Sequence, residues 1–321
     1  MSFRIRVAGS EVVFECREGQ SVLEAALAAG WELPYSCRRG VCESCRARVV
    51  SGEFAGPTAL GGDALLCQAH PRSDLEIAPR EVRRLDPGAR KRIDAKVYRI
   101  ERPAPDVAVV QLRFPAGVRV RFKAGQYLEV ILADGSRRAF SMANPPHQND
   151  GALLHVRVLP EGAFSHGVLS TLARGSPLTV EMPFGDFHLR EGDKPAILLA
   201  GGTGFAPMKA MVEDLIRRNV ARKLALYWGA RKAPDLYAAD LPRKWAAQHA
   251  GLRFVPVLSE AQWDGRTGLV HEAVMADFPT LATCEVYACG APAMVEAARR
   301  DFTRRRGLPP AAFYCDPFAP A

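Results

Sequence analysis

Four cysteines in the amino-terminal part of the chain have the spacing of an iron–sulfur site. Cys37, Cys42 and Cys45 lie in one short loop with the pattern C-x4-C-x2-C, and Cys67 follows after a gap. This is the spacing of a plant-type [2Fe-2S] centre, which is held by four thiolates. Gly40, between the first two cysteines, permits the positive φ that a tightly wrapped loop requires. The loop therefore predicts electron transfer through a [2Fe-2S] cluster.

Two structural interpretations of the same cysteines stay open. A zinc site binds four ligands around one ion, usually from paired short spacings, and free cysteines are often simply buried. The remaining cysteines, Cys16, Cys284, Cys289 and Cys315, are scattered along the chain. Scattered cysteines favour reduced thiols over a disulfide framework, and the amino terminus lacks a secretory signal. We therefore expect a cytoplasmic protein.

Length, hydropathy and charge limit the classes of function. A chain of 321 residues with 48% hydrophobic residues predicts two or three compact domains. It contains no apolar run of about 20 residues, so we expect no membrane partner. The net charge of +8 includes a basic run from Arg299 to Arg306, which extends an alanine-rich helical pattern. We interpret the run as a solvated helix face and expect no nucleic-acid partner.

The hydrophobic pattern changes twice along the chain. The first 80 or so residues predict a mixed α/β unit whose single helix begins at a Ser21–Glu24 capping box and ends at Gly30. Residues 79–92 predict a linker. Short strands with turn signals such as Asp134-Gly135 then predict a small barrel. From Lys194 onward, strands alternate with helices, which predicts a parallel sheet; its strands are expected at Ala196–Ala200, Leu224–Trp228, Leu252–Leu258 and Glu285–Cys289.

A tetrapeptide in the middle block has the residue types of a flavin site. Arg138-Ala139-Phe140-Ser141 follows a hairpin at a strand end and resembles the Arg-x-(Tyr/Phe)-Ser signature of the ferredoxin–NADP reductase superfamily. An arginine fork suits a pyrophosphate, an aromatic ring packs on an isoalloxazine, and a hydroxyl can hydrogen-bond flavin N5. The resemblance implies that Arg138, Phe140 and Ser141 take these respective roles. The structural alternative is a surface arginine beside a core phenylalanine.

A second segment of the same block predicts phosphate binding. Gly162-Ala163-Phe164-Ser165 opens a helical pattern that runs to about Leu172. Helix amides together with a serine hydroxyl readily bind phosphate. In similar reductases this segment contacts the diphosphate of FAD, which implies that role for Gly162 and Ser165. An ordinary serine cap is the alternative for Ser165.

The third block contains two glycine motifs at strand ends. The first has the pattern G-x-G-x-x-P, comprising Gly202, Thr203, Gly204 and Pro207, and resembles the nicotinamide-binding loop of ferredoxin reductases. Its backbone amides can approach a phosphate, and a proline is tolerated in the first turn of a helix. The second motif begins with Cys289 and Gly290. The resemblance implies that Cys289 lies near the reactive nicotinamide carbon; the alternative is a small buried thiol.

Three further residues are assigned by position. Arg231 ends a strand that is expected to face the adenosine half of the dinucleotide, where it either meets a 2′-phosphate or is solvated. Resemblance to NADH-using members favours NADH, with NADPH possible. Relatives often place a terminal aromatic ring over the flavin, which makes Tyr314 and Phe318 candidates. Either ring could instead anchor the tail.

The resemblance extends over essentially the whole chain. Pro34-Tyr35-Ser36-Cys37 and Leu66-Cys67 match plant-type ferredoxins, which have a β-grasp fold. The order of cluster, flavin and nicotinamide motifs is similar to that of CDP-6-deoxy-3,4-glucoseen reductase and of the reductase components of benzoate dioxygenase, phenol hydroxylase and soluble methane monooxygenase. It implies a β-grasp ferredoxin domain over 1–88, a six-stranded antiparallel β-barrel FAD domain over 89–192, and an α/β parallel-sheet NAD(P)H domain over 193–321.

These resemblances predict an electron-transfer reductase. NADH delivers two electrons as a hydride, whereas a [2Fe-2S] cluster accepts one at a time, so a flavin must stand between them. Ser141 and Cys289 are expected at the hydride-transfer site. The acceptor is expected to be a transiently bound redox protein, either an oxygenase component or an aminosugar dehydratase of deoxysugar synthesis. A redox-responsive regulatory protein is the alternative from another functional class.

Overall fold

The computed structural model describes residues 1–59, 61–86, 88–159, 162–260 and 263–318. The chain forms two compact units. The first comprises Met1–Ala89 with Gly185–Phe187, and the second comprises Arg90–Phe184 with His188–Ala321.

The first unit is built on a mixed five-stranded sheet. Its elements are β1 (Ser2–Val7), β2 (Val13–Arg17), α1 (Val22–Ala28), β3 (Trp31–Glu32), β4 (Arg46–Ser51), β5 (Phe54–Ala55), β6 (Ala64–Leu65), β7 (His70–Pro71), β8 (Leu75–Pro79) and β9 (Arg83–Arg84). The strand order in the main sheet is β2-β1-β8-β4-β6, in which β1 and β8 are parallel. The alternation expected for β1 and β2 places Ile5, Val7 and Phe14 in the core.

Helix α1 connects the capping box to the segment that contains Cys67. The Ser21 hydroxyl accepts from the Glu24 amide while the Glu24 carboxylate accepts from the Ser21 amide, so the predicted capping box is confirmed. The next two amides of the helix, Val22 and Leu23, donate to the carbonyls of Ala69 and Leu66. The first turn of the helix therefore holds the backbone on both sides of Cys67.

The predicted linker contains some regular structure. Strand β9 lies within residues 79–92 and pairs with β3 through Trp31 and Arg84. The Arg84 guanidinium also lies 4.4 Å from the centroid of the Trp31 ring. No strand pattern is visible in the sequence here, because a two-residue pairing depends on its partner strand and not on the local pattern.

The first part of the second unit is a six-stranded antiparallel sheet. It comprises β10 (Lys91–Ala104), β11 (Val107–Arg113), β12 (Tyr127–Ile131), β13 (Arg137–Ser141), β14 (Gly151–Arg157) and β15 (Pro177–Phe184), together with a π-helix at Ala163–Val168. The strand order is β13-β12-β15-β10-β11-β14. An isolated antiparallel bridge between Met142 and Leu154 also joins β14 to the residue after β13. The predicted hairpin at Asp134-Gly135 connects β12 to β13, and Gly135 has a φ of 80°.

The second part of this unit is a six-stranded parallel sheet with helices. Its elements are β16 (Ala196–Gly201), α2 (Phe205–Arg217), β17 (Leu224–Ala230), α3 (Asp240–Gln248), β18 (Leu252–Leu258), β19 (Arg266–Thr267), α4 (Val270–Asp277), β20 (Glu285–Gly290), α5 (Pro292–Arg306) and β21 (Phe313–Pro317). The order is β19-β18-β17-β16-β20-β21. Because every pair is parallel, the carboxyl ends of the strands share one edge, where ligands bind in such sheets.

The basic run is part of α5, as predicted, but one arginine is not solvated. Arg300, Arg304 and Arg305 are exposed, and Arg300 and Arg305 form ion pairs with Asp301. Arg299 is buried and donates to Cys315 Sγ at 3.0 Å. Among the described residues, no helix combines the length and apolar character needed to cross a membrane.

Replacing the α1 cap tests how strongly this helix is anchored. We expect Ser21→Ala to destabilise the helix by about 1 kcal/mol, the usual cost of losing an N-cap hydroxyl. Hydrogen–deuterium exchange of peptides that cover residues 22–29 should then be about fivefold faster. Ser2→Ala, which removes an exposed hydroxyl bonded to Glu15, is the matched control and should leave these peptides unchanged. Equal exchange in both variants would contradict the assigned role of the cap.

Candidate functional site

The loop of the four cysteines has an unusual backbone. Gly40 has the predicted positive φ, 75°, and two residues without that freedom also have it: Arg38 at 55° and Glu43 at 57°. Left-handed backbone is uncommon outside glycine, and it marks a loop whose conformation is imposed by its surroundings. Cys42, Cys45 and Cys67 are buried and Cys37 is partly exposed.

Backbone amides in this loop point at sulfur. The Arg39 amide donates to Cys37 Sγ at 3.3 Å, and the amides of Cys37 and Ser44 donate to Cys42 Sγ at 3.5 Å. A hydrogen bond from Cys42, followed by backbone amides, lowers the pKa of Cys37 to about 5 despite its burial. The loop thus stabilises negative charge on sulfur, which is what a ligating thiolate needs.

The sulfurs form two pairs. Hydrogen bonds join Cys37 to Cys42 and Cys45 to Cys67; the second bond lowers the pKa of Cys67 and raises that of Cys45. In the part of the chain that the structure describes, no three Cys, His, Asp or Glu side chains converge on one metal position. A [2Fe-2S] cluster contains two iron ions that share four thiolates, so two cysteine pairs fit it. A tetrahedral zinc ion would need all four sulfurs around one point.

Gln68 ties the Cys67 segment to the loop. Its side-chain amide donates to the carbonyl of Arg38 at 3.0 Å and to that of Cys67 at 2.9 Å. Side chains of this kind orient the ligands of a metal centre. The sequence analysis did not identify Gln68; its position directly after the fourth cysteine was the available signal.

The three predicted flavin residues lie on β13. Phe140 is half-buried and packs against Phe164 with ring centroids 4.8 Å apart. The Arg138 guanidinium donates to the Arg137 carbonyl, and no carboxylate among the described residues lies within ion-pair distance of it. It is therefore available to an anionic ligand, as a pyrophosphate site requires. Ser141, which ends the strand, is buried.

The second flavin segment forms a π-helix rather than an α-helix. Gly162 precedes it, and Ser165 lies within it and is buried. The Ser165 hydroxyl accepts from the Leu159 amide at 3.0 Å and donates to the Leu159 carbonyl at 3.3 Å. The hydroxyl is therefore bound to the backbone of Leu159, which resembles the predicted alternative of a serine cap.

The nicotinamide motif forms a tight turn at the carboxyl end of β16. Gly202–Gly204 make one turn of 3-10 helix that leads into α2, with Pro207 in its first turn as predicted. A Cβ on Gly204 would overlap the Cys289 carbonyl oxygen, so only glycine allows the two motifs to approach this closely. Trp228 supports the turn from β17 because its indole N–H donates to the Gly202 carbonyl at 3.0 Å.

One carboxyl group joins the flavin and nicotinamide motifs. Ser141 Oγ donates to Asp316 Oδ2 at 3.3 Å, and both residues are buried. Asp316, on β21, is the cross-strand partner of Cys289 on β20. Cys289 is fully buried, and burial followed by Asp316 and Cys315 raises the pKa of its thiol. Ser141 and Cys289 are thus brought to one point by a residue that the sequence analysis missed.

The remaining predicted residues lie on or directly after strands of the parallel sheet. Phe318 follows β21, half-buried, and its amide donates to the Gly290 carbonyl at 2.8 Å. Tyr314 instead stacks on Tyr287, with ring centroids 4.9 Å apart. Arg231, after β17, is exposed, and its guanidinium lies 4.0 Å from the Glu260 carboxylate.

Comparisons with known proteins match each part of the chain. Three family models match it: a 2Fe-2S iron-sulfur cluster binding domain over residues 5–72, an oxidoreductase FAD-binding domain over 94–189, and an oxidoreductase NAD-binding domain over 198–300. Together they cover the cysteine loop, the β13 motif and the glycine turns.

Curated relatives and solved structures match over the full length. Reductase component 2 of terephthalate 1,2-dioxygenase from Comamonas sp is 42% identical over 99% of this chain and 98% of its own. A CDP-6-deoxy-L-threo-D-glycero-4-hexulose-3-dehydrase reductase from Yersinia pseudotuberculosis is 38% identical over 100% of both chains. The crystal structure of the Amycolatopsis cytochrome P450 reductase GcoB superposes with a TM-score of 0.78 at 34% identity, covering 99% of each chain.

Adding one methyl group at Gly204 tests the contact between the two nicotinamide motifs. In Gly204→Ala the turn must move away from Cys289, so NADH should reduce the bound FAD at least about tenfold more slowly, since a 1 Å misplacement can cost about 100-fold in rate. Stopped-flow absorbance measures this rate, and iron and FAD contents should stay at wild-type levels. Gly251→Ala is the control, because its Cβ would lie 3.5 Å from the nearest atom. A normal rate in Gly204→Ala would be inconsistent with the assigned contact.

Proposed function

Because the chain belongs to the family of NAD(P)H-dependent iron–sulfur flavoprotein reductases, we propose that its acceptor is the oxygenase component of an aromatic-ring oxygenase system. The chain itself is an oxidoreductase that passes electrons from NADH through FAD and a [2Fe-2S] cluster to an acceptor. When bound, FAD can accept the two electrons of a hydride and release them one at a time, as the cluster requires.

The observation that best supports the proposed electron path is the hydrogen bond between Ser141 and Asp316. It brings a flavin motif and a nicotinamide motif together in a buried position. We assign Ser141 to flavin N5, Cys289 to the nicotinamide carbon, and Asp316 to holding both in place. Burial of the three residues would keep water away from the hydride-transfer site.

We propose the following roles for the other site residues. Cys37 and Cys42 would bind one iron ion of the cluster, and Cys45 and Cys67 the other, which their hydrogen-bonded pairing supports. Flavin would be bound by Arg138 through the pyrophosphate, by Phe140 through ring packing, and by Gly162 and Ser165. Nicotinamide dinucleotide would be bound by Gly202, Thr203, Gly204, Pro207, Gly290 and Arg231, and Phe318, beyond the end of β21, would cover the flavin.

The finer description of the domains is also a proposal. We assign the boundaries 1–88, 89–192 and 193–321, and each family-model match falls within one of these segments. We propose a β-grasp fold for the first segment and a closed barrel for the second. The bridge between Met142 and Leu154 supports closure, because it joins the two end strands of the antiparallel sheet.

A second candidate acceptor is a sugar dehydratase. The Yersinia relative, whose name states that it is a dehydrase reductase, matches both chains in full at 38% identity. The terephthalate dioxygenase relative matches at 42% over nearly the same span and favours the oxygenase proposal. Transient binding of the acceptor and a cytoplasmic location stay predictions.

Glu260 supports a preference for NADH. It follows β18 and lies 4.0 Å from Arg231, which follows the neighbouring β17. A carboxylate at this edge of a dinucleotide-binding sheet suits the 2′-hydroxyl of NADH, whereas an arginine accommodates the 2′-phosphate of NADPH. Here the carboxylate would both repel the phosphate and compete with it for the arginine.

Removing one cluster ligand should separate the two halves of the electron path. Cys42→Ser should abolish NADH-driven electron transfer to a protein acceptor, measured with cytochrome c, while ferricyanide reduction at the flavin continues. Cys16→Ser is the control, because Cys16 is a buried thiol of the same unit that bonds the Gln20 carbonyl, a bond that serine can replace. Loss of both activities in a folded, FAD-containing Cys42→Ser protein would disprove this division of the path.

Removing the Glu260 charge should relax the choice of nucleotide. In Glu260→Gln, kcat/KM for NADPH relative to NADH should rise about tenfold, which corresponds to about 1.4 kcal/mol. Steady-state ferricyanide reduction with each nucleotide measures this ratio. Glu296→Gln, an exposed site on α5, provides a control for the loss of one negative charge. An unchanged ratio in Glu260→Gln would argue against a role in discrimination.

A further inference from the structure

One hydrogen bond connects the flavin sheet to the segment that follows β17. His155 Nδ1, on β14, lies 2.8 Å from the hydroxyl oxygen of Tyr237. The two rings meet edge to face, with centroids 5.4 Å apart. Tyr237 comes after the short 3-10 turn at Ala233–Asp235, in the connection between β17 and α3. A residue of the nicotinamide-binding part thus bonds directly to the antiparallel sheet.

Both partners are neutral. Burial, followed by the charge of Lys209, lowers the pKa of His155 to about 3. Burial also raises the pKa of Tyr237, with Arg157 opposing the rise and Cys289 adding to it. A neutral hydroxyl and a neutral imidazole can form this bond in either direction: the ring proton is on Nε2 when the hydroxyl donates to Nδ1, and on Nδ1 when the hydroxyl accepts. The bond therefore does not depend on the ionisation of either group at ordinary pH.

Tyr237 also packs against the residues that support the Gly202–Gly204 turn. Its ring lies edge-on to Trp228, at 5.2 Å, and to Phe205, at 6.4 Å. Phe205, the first residue of α2, stacks on Trp228 at 4.0 Å, and the Trp228 indole N–H holds the Gly202 carbonyl. A displacement of Tyr237 would therefore reach the turn through two rigid aromatic rings.

Two other contacts follow the same boundary. Lys209 Nζ, on α2, donates to the Ala143 carbonyl at 3.2 Å. The Arg157 guanidinium, on β14, approaches Gly202 so closely that a Cβ there would lie 2.5 Å from it. Arg157 is also held by an ion pair with Asp106. Among these contacts the bond from Tyr237 is the one that a single-atom change can remove without altering shape or charge.

We propose that Tyr237 is a positioning residue for hydride transfer, whose hydrogen bond to His155 fixes the Gly202–Gly204 turn against the flavin sheet. The inference rests on the proposed function, in which two electrons and one proton move together from NADH to flavin N5 and leave NAD⁺. Such a transfer needs reacting atoms about 3–3.5 Å apart, and a misplacement of 1 Å can cost about 100-fold in rate. Tyr237 touches neither reactant in this scheme; it sets the distance between the surfaces that hold them.

Tyr237→Phe removes only the hydroxyl oxygen and keeps the ring that packs on Trp228. In anaerobic stopped-flow experiments on FAD-loaded protein, the limiting rate of flavin reduction by NADH should fall about 10- to 100-fold. The apparent dissociation constant for NADH should stay within about threefold, because the nucleotide-binding amides remain. Tyr227→Phe is the matched control: it removes another tyrosine hydroxyl, which donates at 2.7 Å to Asp277 at the end of α4.

Two further measurements distinguish an effect of Tyr237 on positioning from an effect on protein stability: a double-mutant cycle and an exchange experiment that needs no turnover. His155→Phe should slow flavin reduction by a similar factor, and adding Tyr237→Phe to it should cause little further loss, because the same bond is already missing. In cofactor-free protein, hydrogen–deuterium exchange of peptides that cover residues 201–205 should be faster in Tyr237→Phe and unchanged in Tyr227→Phe.

The outcomes are distinct. A wild-type limiting rate in Tyr237→Phe, or an equal fall in Tyr237→Phe and Tyr227→Phe, overturns the positioning role. Fully additive losses in the double variant also overturn it, because the two residues would then act separately. If NADH fails to reduce FAD bound to the wild-type protein, the proposed function itself is wrong, whatever the variants do.

Discussion

Burial of the Asp316 carboxyl group constrains the whole region proposed for hydride transfer. A carboxyl group that leaves water needs hydrogen-bond partners, since burying it without them costs several kcal/mol. Ser141 supplies one such partner from the flavin sheet, at 3.3 Å. Because Asp316 and Cys289 face each other across parallel strands, this bond also fixes the flavin motif relative to the nicotinamide motif. The register of β20 with β21 therefore decides which side chains meet at the site.

The candidate site also requires segments of backbone to approach closely. This requirement explains why glycines and residues with left-handed backbone lie beside the candidate site residues. The nicotinamide turn reaches the Cys289 carbonyl only because Gly204 has no side chain. Around the cysteines, Arg38 and Glu43 adopt positive φ, which side chains disfavour, and the amides so exposed point at sulfur. Around the cysteines the backbone itself offers the N–H groups, so neighbouring side chains are left to set charge and access.

The sequence predicted features whose cause is local. The cysteine spacing, the Ser21 cap and the strand at Leu252–Leu258 depend on residues a few positions apart, and that strand has the expected bounds. Asp316 and Tyr237 were missed because their roles arise from pairing and packing between distant segments. The tail that contains Asp316 has no strand pattern of its own; it becomes β21 by pairing with β20. An acidic residue within an aromatic tail was the one signal that could have marked it.

The contacts between the flavin sheet and the nicotinamide turn also share an electrostatic property. The pKa of His155 is lowered and those of Tyr237 and Cys289 are raised, so all three groups are uncharged over the range in which most enzymes work. Burial is the leading cause in each case, since a low dielectric favours the neutral form of every such group. If a nicotinamide ring binds here as proposed, it would gain a positive charge when its hydride leaves, and a lining of neutral groups would leave few charged groups to respond to it. Asp316, which lies next to Cys289 and Ser141, would be an acidic group placed to meet that charge.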